Sequence, residues 1–190
     1  MIWKVSKRGK GIPTIWSHHL AYAVGLITAD GSLSTDGRHI DFTSKDESLV
    51  RTFRECLGIS NTIGKKISGH TGRRDYFRVQ FGDVVFYHWL EGLGLMKRKS
   101  RSLGALKIPG PFFFDFVRGC FDGDGTIYSF WDRRWADSFM FYVAFASGSR
   151  PFLQWLQERM IRHIGIRGHI AAGNRQACGR KLFGTQVRIR

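Results

Sequence analysis

Two acidic side chains in matching sequence contexts are the residues of this chain best suited to catalysis. Asp30 and Asp124 each end an apolar stretch of helical spacing, and each is followed by a glycine, Gly31 or Gly125. An Asp-Gly pair after a helix is ordinarily a turn, but its recurrence at the same place in a repeated unit indicates a shared role. We therefore treat both acids as candidates for chemistry.

The helices that carry these acids contain small residues at a spacing that allows close approach. The small residues recur at every fourth position, at Ala21, Gly25 and Ala29 in the first helix and at Gly119 and Gly123 in the second. Such stripes let two helix backbones lie in contact. If the stripes face each other, the helices run side by side and the two acids meet at one end.

Neighbouring carboxylates at helix C-termini are electrostatically unfavourable, because they repel each other and the helix dipole adds negative charge. A divalent metal ion with carboxylate, carbonyl, water and phosphate oxygens as ligands would compensate this charge. Such an ion can lower the pKa of an attacking water and stabilise a leaving oxygen, as phosphodiester hydrolysis requires. The pattern thus predicts a metal-dependent hydrolytic site at Asp30 and Asp124.

Two other interpretations of these glycines and acids fit less well. The sequence DGDG could begin a calcium loop, but Asp122, Asp124 and Thr126 are not followed by the third acidic ligand and the closing Glu. The glycine spacing also occurs in membrane helices, but Asp115, Arg118 and Asp122 exclude a membrane span.

The elements around each acidic helix follow one plan, which is repeated once along the chain. The first copy is predicted to contain a helix from Ser17 to Gly31, strands at 32–35 and 38–43, a helix at 46–57, strands at 62–68 and 75–81, and a closing helix at 84–95. The second is predicted to contain a helix from Pro111 to Gly125, strands at 126–130 and 138–146, a helix at 150–164, and strands at 168–172 and 183–189. This predicts an α+β fold of two pseudo-twofold αββαββ(α) halves, 1–95 and 111–190, joined by a basic linker at 96–110, with the second closing helix absent.

One face of each predicted sheet is apolar and the other is polar and basic. Phe77, Val79 and Phe81 alternate with Tyr76, Arg78 and Gln80, as in a strand with one buried face. The polar face suits groove binding, because Arg can pair with guanine and Gln with adenine through two hydrogen bonds. The residues predicted to contact bases are Arg38, Thr43, Lys66, Tyr76, Arg78, Gln80, Gln186, Arg188 and Arg190. The residues predicted to contact phosphates near turns are Lys65, Arg73, Arg74, Arg133 and Arg134.

The overall charge indicates a polyanionic partner. The 190-residue chain has 30 Lys and Arg against 15 Asp and Glu, a formal net charge of +15. Nucleic acid is the first partner expected for such an excess, and an anionic membrane surface is the second. Cys56, Cys120 and Cys178 form no zinc-type pair, and neither a signal-type stretch nor a membrane-spanning run is present. These features favour an intracellular protein with reduced thiols.

The residues around both acids resemble the LAGLIDADG motif of homing endonucleases. Residues 24–31, VGLITADG, are similar to that motif with Thr28 in place of its first acid. Residues 118–125, RGCFDGDG, are similar to its Gly-Asp-Gly variant. Two motifs in one chain resemble the monomeric, pseudo-symmetric members of the family, and the resemblance covers nearly the whole order of elements.

This resemblance implies that the motif helices form the interface between the halves and that two antiparallel sheets form a DNA-binding saddle. Asp30 and Asp124 would be the catalytic metal ligands, assisted by the backbone carbonyls of Ala29 and Gly123. Family sites also hold a lysine after the closing helix, and Lys97 is the candidate here, with a solvated linker that contacts phosphate as the alternative. The metal would be Mg²⁺, with Ca²⁺ as a substitute that does not support cleavage.

The resemblance also implies a water-organising polar side chain at the end of the second strand of each half. Ser44 and Ser147 occupy this place, and capping of the following helix is the alternative.

The implied activity is site-specific, metal-dependent cleavage of both strands of DNA by a monomer that recognises a long asymmetric site, with no membrane partner. The alternative is a non-cleaving nucleic-acid-binding module on the same fold, either an RNA-splicing maturase or a DNA-binding regulator. Intact acids in both motifs favour the enzyme. No Cys or Ser begins the chain and no His-Asn pair ends it, so self-splicing is not supported.

Overall fold

The computed structural model describes residues 11–67, 72, 75–131, 134, 139–177 and 180–189, with side chains described up to residue 171. The elements of the first copy are α1 (His18–Asp30), β1 (Gly31–Leu33), β2 (His39–Ser44), α2 (Glu47–Leu57), β3 (Ile63–Lys66), β4 (Tyr76–Gly82) and α3 (Val84–Leu93). A short 3-10 turn at Gly110–Phe112 leads into the second copy. Its elements are α4 (Phe113–Asp124), β5 (Gly125–Trp131), β6 (Phe139–Ser147), α5 (Arg150–Ile164), β7 (His169–Ala177) and β8 (Arg180–Ile189).

Each copy forms one four-stranded antiparallel sheet, and the two sheets have the same strand order. The orders are β1-β2-β4-β3 and β5-β6-β8-β7. The registers also correspond, since Gly31 pairs with Phe42 in the first sheet and Gly125 pairs with Phe145 in the second. The predicted α+β class with two antiparallel sheets is confirmed, and the sequence repeat is a repeat of backbone pairing.

The second helix of each copy begins and ends in the same way. Asp46 and Ser149 are the N-cap residues of α2 and α5, and their side chains accept hydrogen bonds from backbone N–H groups of the first turn. Gly58 and Gly165 follow the two helices with φ angles of 64° and 69°, in the left-handed region that favours glycine. These caps explain why both helices have nearly the predicted bounds.

The chain folds as two compact units whose boundaries differ from those of the sequence repeat. One unit runs to Arg98 and also includes Lys107–Gly123, so almost all of α4 belongs to it. The other comprises Lys99–Leu106 and the chain from Asp124 onward. The predicted linker at 96–110 is therefore divided between the units, and within the second unit the Ser149 hydroxyl donates a hydrogen bond to the Leu103 carbonyl.

The core of the first unit contains a series of buried aromatic rings between the sheet and its helices. Phe42 of β2 and Phe53 of α2 have ring centroids 4.6 Å apart. Phe81 of β4 lies 6.3 Å from Phe53 and 6.3 Å from Phe86 of α3. All four rings are buried, so the apolar face predicted from the alternation in β4 packs against helices.

Glycines allow α1 and α4 to lie in backbone contact within the first unit. A methyl group on Gly25 would lie 2.9 Å from the Cys120 nitrogen and still closer to the Phe116 carbonyl oxygen. A methyl group on Gly119 would overlap the Tyr22 carbonyl oxygen. Only residues without a Cβ permit this approach, so the expected packing of the small-residue stripes is confirmed.

Several elements differ in length from the prediction. β1 ends at Leu33 rather than at residue 35, and β8 begins at Arg180 rather than at residue 183. α3 ends at Leu93 rather than at residue 95, because Gly94 adopts a φ of 107° and its N–H bonds back to carbonyls of the last turn. β7 extends to Ala177 rather than to residue 172, because its pairing with β8 continues as far as Ala177 and Arg180. No helix in the described part of the chain is long and apolar enough to span a membrane.

Candidate metal and nucleic-acid site

The first motif acid lies in the last turn of α1. Asp30 is exposed, and Ala29 before it is half-buried. Thr28, which stands where the motif has its first acid, is buried, and its hydroxyl donates a hydrogen bond to the Val24 carbonyl at 2.8 Å. Gly31 ends the helix and begins β1. The Thr28 hydroxyl therefore bonds within its own helix, whereas the Asp30 carboxylate lies at the end of that helix.

The lack of a side chain at Gly123 brings the last turn of α4 against that of α1. A methyl group on Gly123 would overlap the Ala29 Cβ and would lie 3.5 Å from Asp30 Oδ2. Of the expected metal ligands, the first unit thus brings Asp30, Ala29 and Gly123 together. Asp124 is the next residue in the chain, and the second unit begins with it.

The other acid of the second motif makes a contact of its own within the first unit. The Tyr22 hydroxyl donates a hydrogen bond to Asp122 Oδ2 at 2.7 Å, and the Arg118 guanidinium lies 4.4 Å from the centre of the Tyr22 ring. Burial of Tyr22, followed by its hydrogen bond to the Asp122 carboxylate, raises the pKa of the phenol above its usual value. Asp122 therefore links the two motif helices, and a calcium loop that uses it as a ligand is not supported.

The oxygen donors at these helix ends suit a hard divalent cation. Within the first unit, the available groups are the carboxylate of Asp30 and the backbone carbonyls of Ala29 and Gly123. Within the described ranges, no group of three or more His, Cys, Asp or Glu side chains is placed to hold a metal ion. An ion bound here would therefore need water and substrate phosphate to complete its coordination, as is usual for Mg²⁺.

The first sheet has a polar face opposite the face that packs on its helices. The residues that strand pairing places on this polar face include Asp41, Thr43, Lys66, Tyr76, Arg78 and Gln80. The Arg78 guanidinium donates a hydrogen bond to Asp41 Oδ2 at 2.7 Å. Thr43 Oγ1 and Arg78 Nε are buried without a hydrogen-bond partner among the described residues. Such unsatisfied groups are costly unless a ligand or water engages them, so this face is suited to polar recognition.

One base-contacting candidate is placed differently from its prediction. Arg38 lies in the turn before β2, which begins at His39. The turn is fixed by Asp36, whose Oδ1 accepts hydrogen bonds from the N–H groups of Arg38 and His39 at 3.0 Å each. The prediction that Arg38 lies within the strand is therefore wrong, because the Asp36 contacts hold it in the loop.

The remaining candidates belong to the second sheet and the turns. Arg134 is exposed between β5 and β6. On the backbone of β8, Gln186 pairs with Ala146 and Arg188 pairs with Ala144. The side chains of Gln186 and Arg188, together with Arg73, Arg74, Arg133 and Arg190, lie outside the described residues.

The predicted lysine lies at the turn that follows β1. Lys97 is exposed, with its Nζ 3.5 Å from the Thr35 carbonyl oxygen and 5.9 Å from the centre of the Tyr87 ring. Thr35 lies two residues beyond the end of β1. The contact agrees with the alternative interpretation of Lys97, a linker residue that contacts phosphate, and the catalytic role of Lys97 stays a prediction.

A second lysine in the same segment has a different environment, which the sequence did not reveal. Lys99 is only 9% exposed and belongs to the second unit. The chain beside it packs on the end of β6, since a methyl group on Gly148 would overlap the Ser100 carbonyl oxygen. Lysine is rarely buried without a specific role. Burial therefore makes Lys99 a candidate functional residue, whereas the sequence alone did not distinguish it from its basic neighbours.

The two serines at the strand ends act as turn residues. Ser44 Oγ accepts a hydrogen bond from the Asp46 N–H at 3.2 Å, and Ser147 Oγ accepts one from the Ser149 N–H at 3.2 Å. Both acceptors hold the N-cap residue of the next helix, which supports the capping interpretation in each half.

The polar face of the first sheet has an aromatic counterpart in the second. Pairing of β5 with β6 places Tyr128 opposite Tyr142 and Phe130 opposite Met140. By the repeat, these residues occupy the side of the sheet away from Phe145, the counterpart of the buried Phe42. Aromatic content this high was visible in the sequence, but its position on this face follows only from the strand register.

Comparison with protein families supports the resemblance read from the motifs. Residues 17–88 match the LAGLIDADG-like domain family. The matched range runs from the N-cap of α1 into α3 and includes the first motif. No curated protein matches the chain at a significant level.

Solved structures match the chain across both copies. The full-length DUF199/WhiA protein from Thermatoga maritima is 14% identical with a TM-score of 0.57, covering 93% of this chain and 52% of its own. The homing endonuclease I-DmoI in complex with DNA and Mn is 14% identical with a TM-score of 0.56, covering 91% and 89%. The meganuclease I-SmaMI bound to uncleaveable DNA is 15% identical with a TM-score of 0.56, covering 90% and 79%.

These identities establish shared fold alone, and the chain spans about half the length of full-length WhiA. The recognition of a two-motif LAGLIDADG fold in one chain is confirmed, by sequence for residues 17–88 and by structure for both copies.

Proposed function

We propose that this chain, with its LAGLIDADG-like domain and the fold of the two-motif homing endonucleases, is a metal-dependent endonuclease that cuts both strands of DNA. The observation that carries the proposal is the contact of Gly123 with Ala29 and the Asp30 carboxylate at the ends of the motif helices. It supports a cluster of oxygen ligands to which Asp124, the next residue, adds a second carboxylate.

Asp30 and Asp124 would bind Mg²⁺, with Ala29 and Gly123 contributing backbone carbonyl oxygens. Bound there, a divalent ion supplies water activation and charge stabilisation at the scissile phosphate. The protein holds the carboxylates at helix ends, where the dipole disfavours uncompensated negative charge and so favours cation binding. I-DmoI, a protein with this fold, has been crystallised in complex with DNA and Mn, which supports the proposal that the fold can bind both.

The polar face of the first sheet would contact the DNA. Its Arg78, Gln80 and Thr43 side chains offer donors and acceptors suited to base edges. The net charge of +15 supplies the attraction to phosphates. Because the corresponding face of the second sheet carries different residues, the target of a single chain would be asymmetric.

The structure adds a candidate for the basic residue of the second unit. The chain at Ser100, next to Lys99, packs beside Gly148, the residue that follows β6. Gly148 is three residues from Phe145, which pairs with Gly125, the residue after Asp124. Lys99 would therefore supply the basic side chain in the second unit, whereas Lys97 would contact phosphate. Lys99→Met should reduce cleavage by about 10- to 100-fold, and Lys97→Met should mainly weaken binding by a few-fold. If both variants lost the same cleavage rate at saturating protein, the proposed difference in role between Lys99 and Lys97 would be wrong.

A non-cleaving nucleic-acid-binding protein on the same fold is the second candidate. The aromatic face of the second sheet favours it, because stacking surfaces bind nucleic acid without requiring hydrolysis.

A cleavage selection distinguishes the two candidates. The full chain is incubated with a randomised library of long DNA duplexes in Mg²⁺ or in Ca²⁺, and cleaved ends are sequenced. Wild type should yield a recurrent cleaved site in Mg²⁺ only. Asp30→Asn/Asp124→Asn should yield none yet still bind the selected duplex. Glu158→Gln, which neutralises an exposed acid on α5, is the matched control and should cut normally.

The enzyme proposal fails if wild type and the double variant bind duplex equally and neither cuts it. A cleaved site that appears equally with the double variant would also overturn the assignment of the two acids.

A further inference from the structure

The hairpin formed by β5 and β6 carries aromatic residues on both of its faces. One face has Trp131 and Phe139, whose rings meet edge to face at 5.2 Å. The opposite face has Tyr128, Phe130 and Tyr142. Trp131 is 66% exposed and Phe130 is 45% exposed, so neither ring is part of a core. Large exposed apolar groups in such number indicate that one face of this hairpin is a binding surface.

The rings on the second of these faces form an ordered stack. The Tyr142 ring lies 5.0 Å from Tyr128 and 5.7 Å from Phe130, with interplanar angles of 12° and 10°. Tyr142 therefore stands between the other two rings, and Tyr128 and Phe130 form the ends of the stack. Near-parallel rings at the end of a stack present one further flat face, the geometry with which an unpaired base stacks on an aromatic side chain.

The charge and the chain position of the stack indicate a nucleobase as its occupant. The chain has a formal net charge of +15, which favours a polyanion such as nucleic acid as its partner. The stack also continues directly from the proposed metal ligand, since β5 begins at the residue after Asp124. Phe130 is six residues beyond Asp124, about 20 Å along an extended strand, which corresponds to about six nucleotides of a strand lying beside it.

We infer that the Tyr128–Tyr142–Phe130 stack binds an unpaired nucleobase, which continues the stack on the ring of Phe130. The inference rests on the proposed nucleic-acid binding, and it adds a substrate feature: an unpaired or extruded nucleotide several positions from the site of chemistry. DNA and RNA both supply such a base, so the chemistry is shared and the source is decided by experiment.

Binding is measured with the full chain, in Ca²⁺ at fixed salt, by anisotropy of labelled 12-nucleotide DNA strands, RNA strands and a blunt DNA duplex. Phe130→Leu keeps an apolar side chain but removes the ring. It should weaken single-strand binding about ten-fold and change duplex binding by less than about two-fold. Phe130→Tyr retains the ring and should bind like wild type. Trp131→Leu removes a more exposed ring from the other face of the same strand and is the matched control.

A loss confined to the DNA strand, or to the RNA strand, supports the inference and identifies the source. Equal weakening of single strands and duplex by Phe130→Leu would overturn it, as would a loss of the same size in Trp131→Leu. Unchanged single-strand binding in Phe130→Leu would also overturn it. In each of those cases magnesium-dependent cutting of duplex by wild type would still support the proposed function, so the two failures are distinguishable.

Discussion

The two sheets share a backbone but present different surfaces. Strand order is the same, and the pairs Gly31–Phe42 and Gly125–Phe145 occupy the same register. On the face away from these phenylalanines, the first sheet carries the Arg78–Asp41 pair, whereas the second carries the stack centred on Tyr142. The duplicated elements are therefore those that set the backbone, whereas the faces opposite these phenylalanines carry different residues.

The shared features are all local determinants of chain direction. The N-caps Asp46 and Ser149 and the serines that hold them recur in both copies. The glycines of the motif helices are shared as well, since Gly25 and Gly119 contact the partner backbone. Hydrogen bonds and glycines of this kind fix the path of the backbone, so the same residues are needed in both copies. Residues on the exposed sheet faces do not set the backbone, so they can differ between the copies and bind different ligands.

The largest effect is expected from the feature proposed to be common to both halves, the motif acids. Asp30→Asn or Asp124→Asn should each reduce double-strand cutting about 1,000-fold, which corresponds to about 4 kcal/mol of lost transition-state stabilisation. Strand-specific end labels measure this on the selected duplex. If one variant retains full double-strand cutting, the two halves are not equivalent in chemistry.

The next effect concerns the close helix approach in the first unit. Gly25→Val should lower stability by about 3 kcal/mol, because its Cβ would meet the Phe116 carbonyl and the α4 backbone. Gly92→Ala in α3, where a methyl group meets nothing within 4 Å, is the control and should raise stability by about 0.5–1 kcal/mol. Urea unfolding measures both. A Gly25→Val protein as stable as wild type would contradict the packing of α1 on α4.

A smaller effect is expected on the polar face of the first sheet. Arg78→Ala should relax base preference at one position of the selected site, by about 1–3 kcal/mol of discrimination. Arg51→Ala removes an equal charge from α2, where Arg51 pairs with Glu47, and should leave base preference unchanged. Competition binding with singly substituted duplexes tests this. A uniform loss over all sequences in Arg78→Ala would make Arg78 a phosphate contact instead.

The smallest effect tests the acid that sequence patterns did not single out. Asp41→Asn removes the carboxylate paired with Arg78 and so frees the guanidinium for DNA. Duplex affinity should rise a few-fold. The plot of log affinity against log salt concentration should become steeper by about the amount that one phosphate contact contributes. An affinity that falls would show that Asp41 positions Arg78 for recognition rather than competing with the DNA.

The local parts of this fold could be predicted from sequence because their signals lie within a few residues. Ser17 before an apolar stretch gave the start of α1, and Ser149 gave that of α5. The spacing of Gly25 and Gly119 predicted their contact because small residues at that interval have few other uses.

The remaining parts depend on contacts between distant segments. Asp41 and Arg78 meet because β2 and β4 are neighbours in a particular register, which neither sequence segment encodes alone. Lys97 and Lys99 lie two positions apart in one basic run, and only packing shows that Lys99 is buried. Arg38 was assigned to the wrong element because its neighbour Asp36 holds the turn through side-chain acceptors that strand patterns do not reveal.

The most direct test of the central claim is metal binding at the helix ends. Mn²⁺ binding to the full chain in complex with the selected duplex can be followed by electron paramagnetic resonance. We expect wild type to bind Mn²⁺ about ten-fold or more tightly than Asp30→Asn or Asp124→Asn, and Asp122→Asn, whose acid is bonded to Tyr22, to bind like wild type. Equal Mn²⁺ binding by wild type and Asp30→Asn/Asp124→Asn would contradict the account.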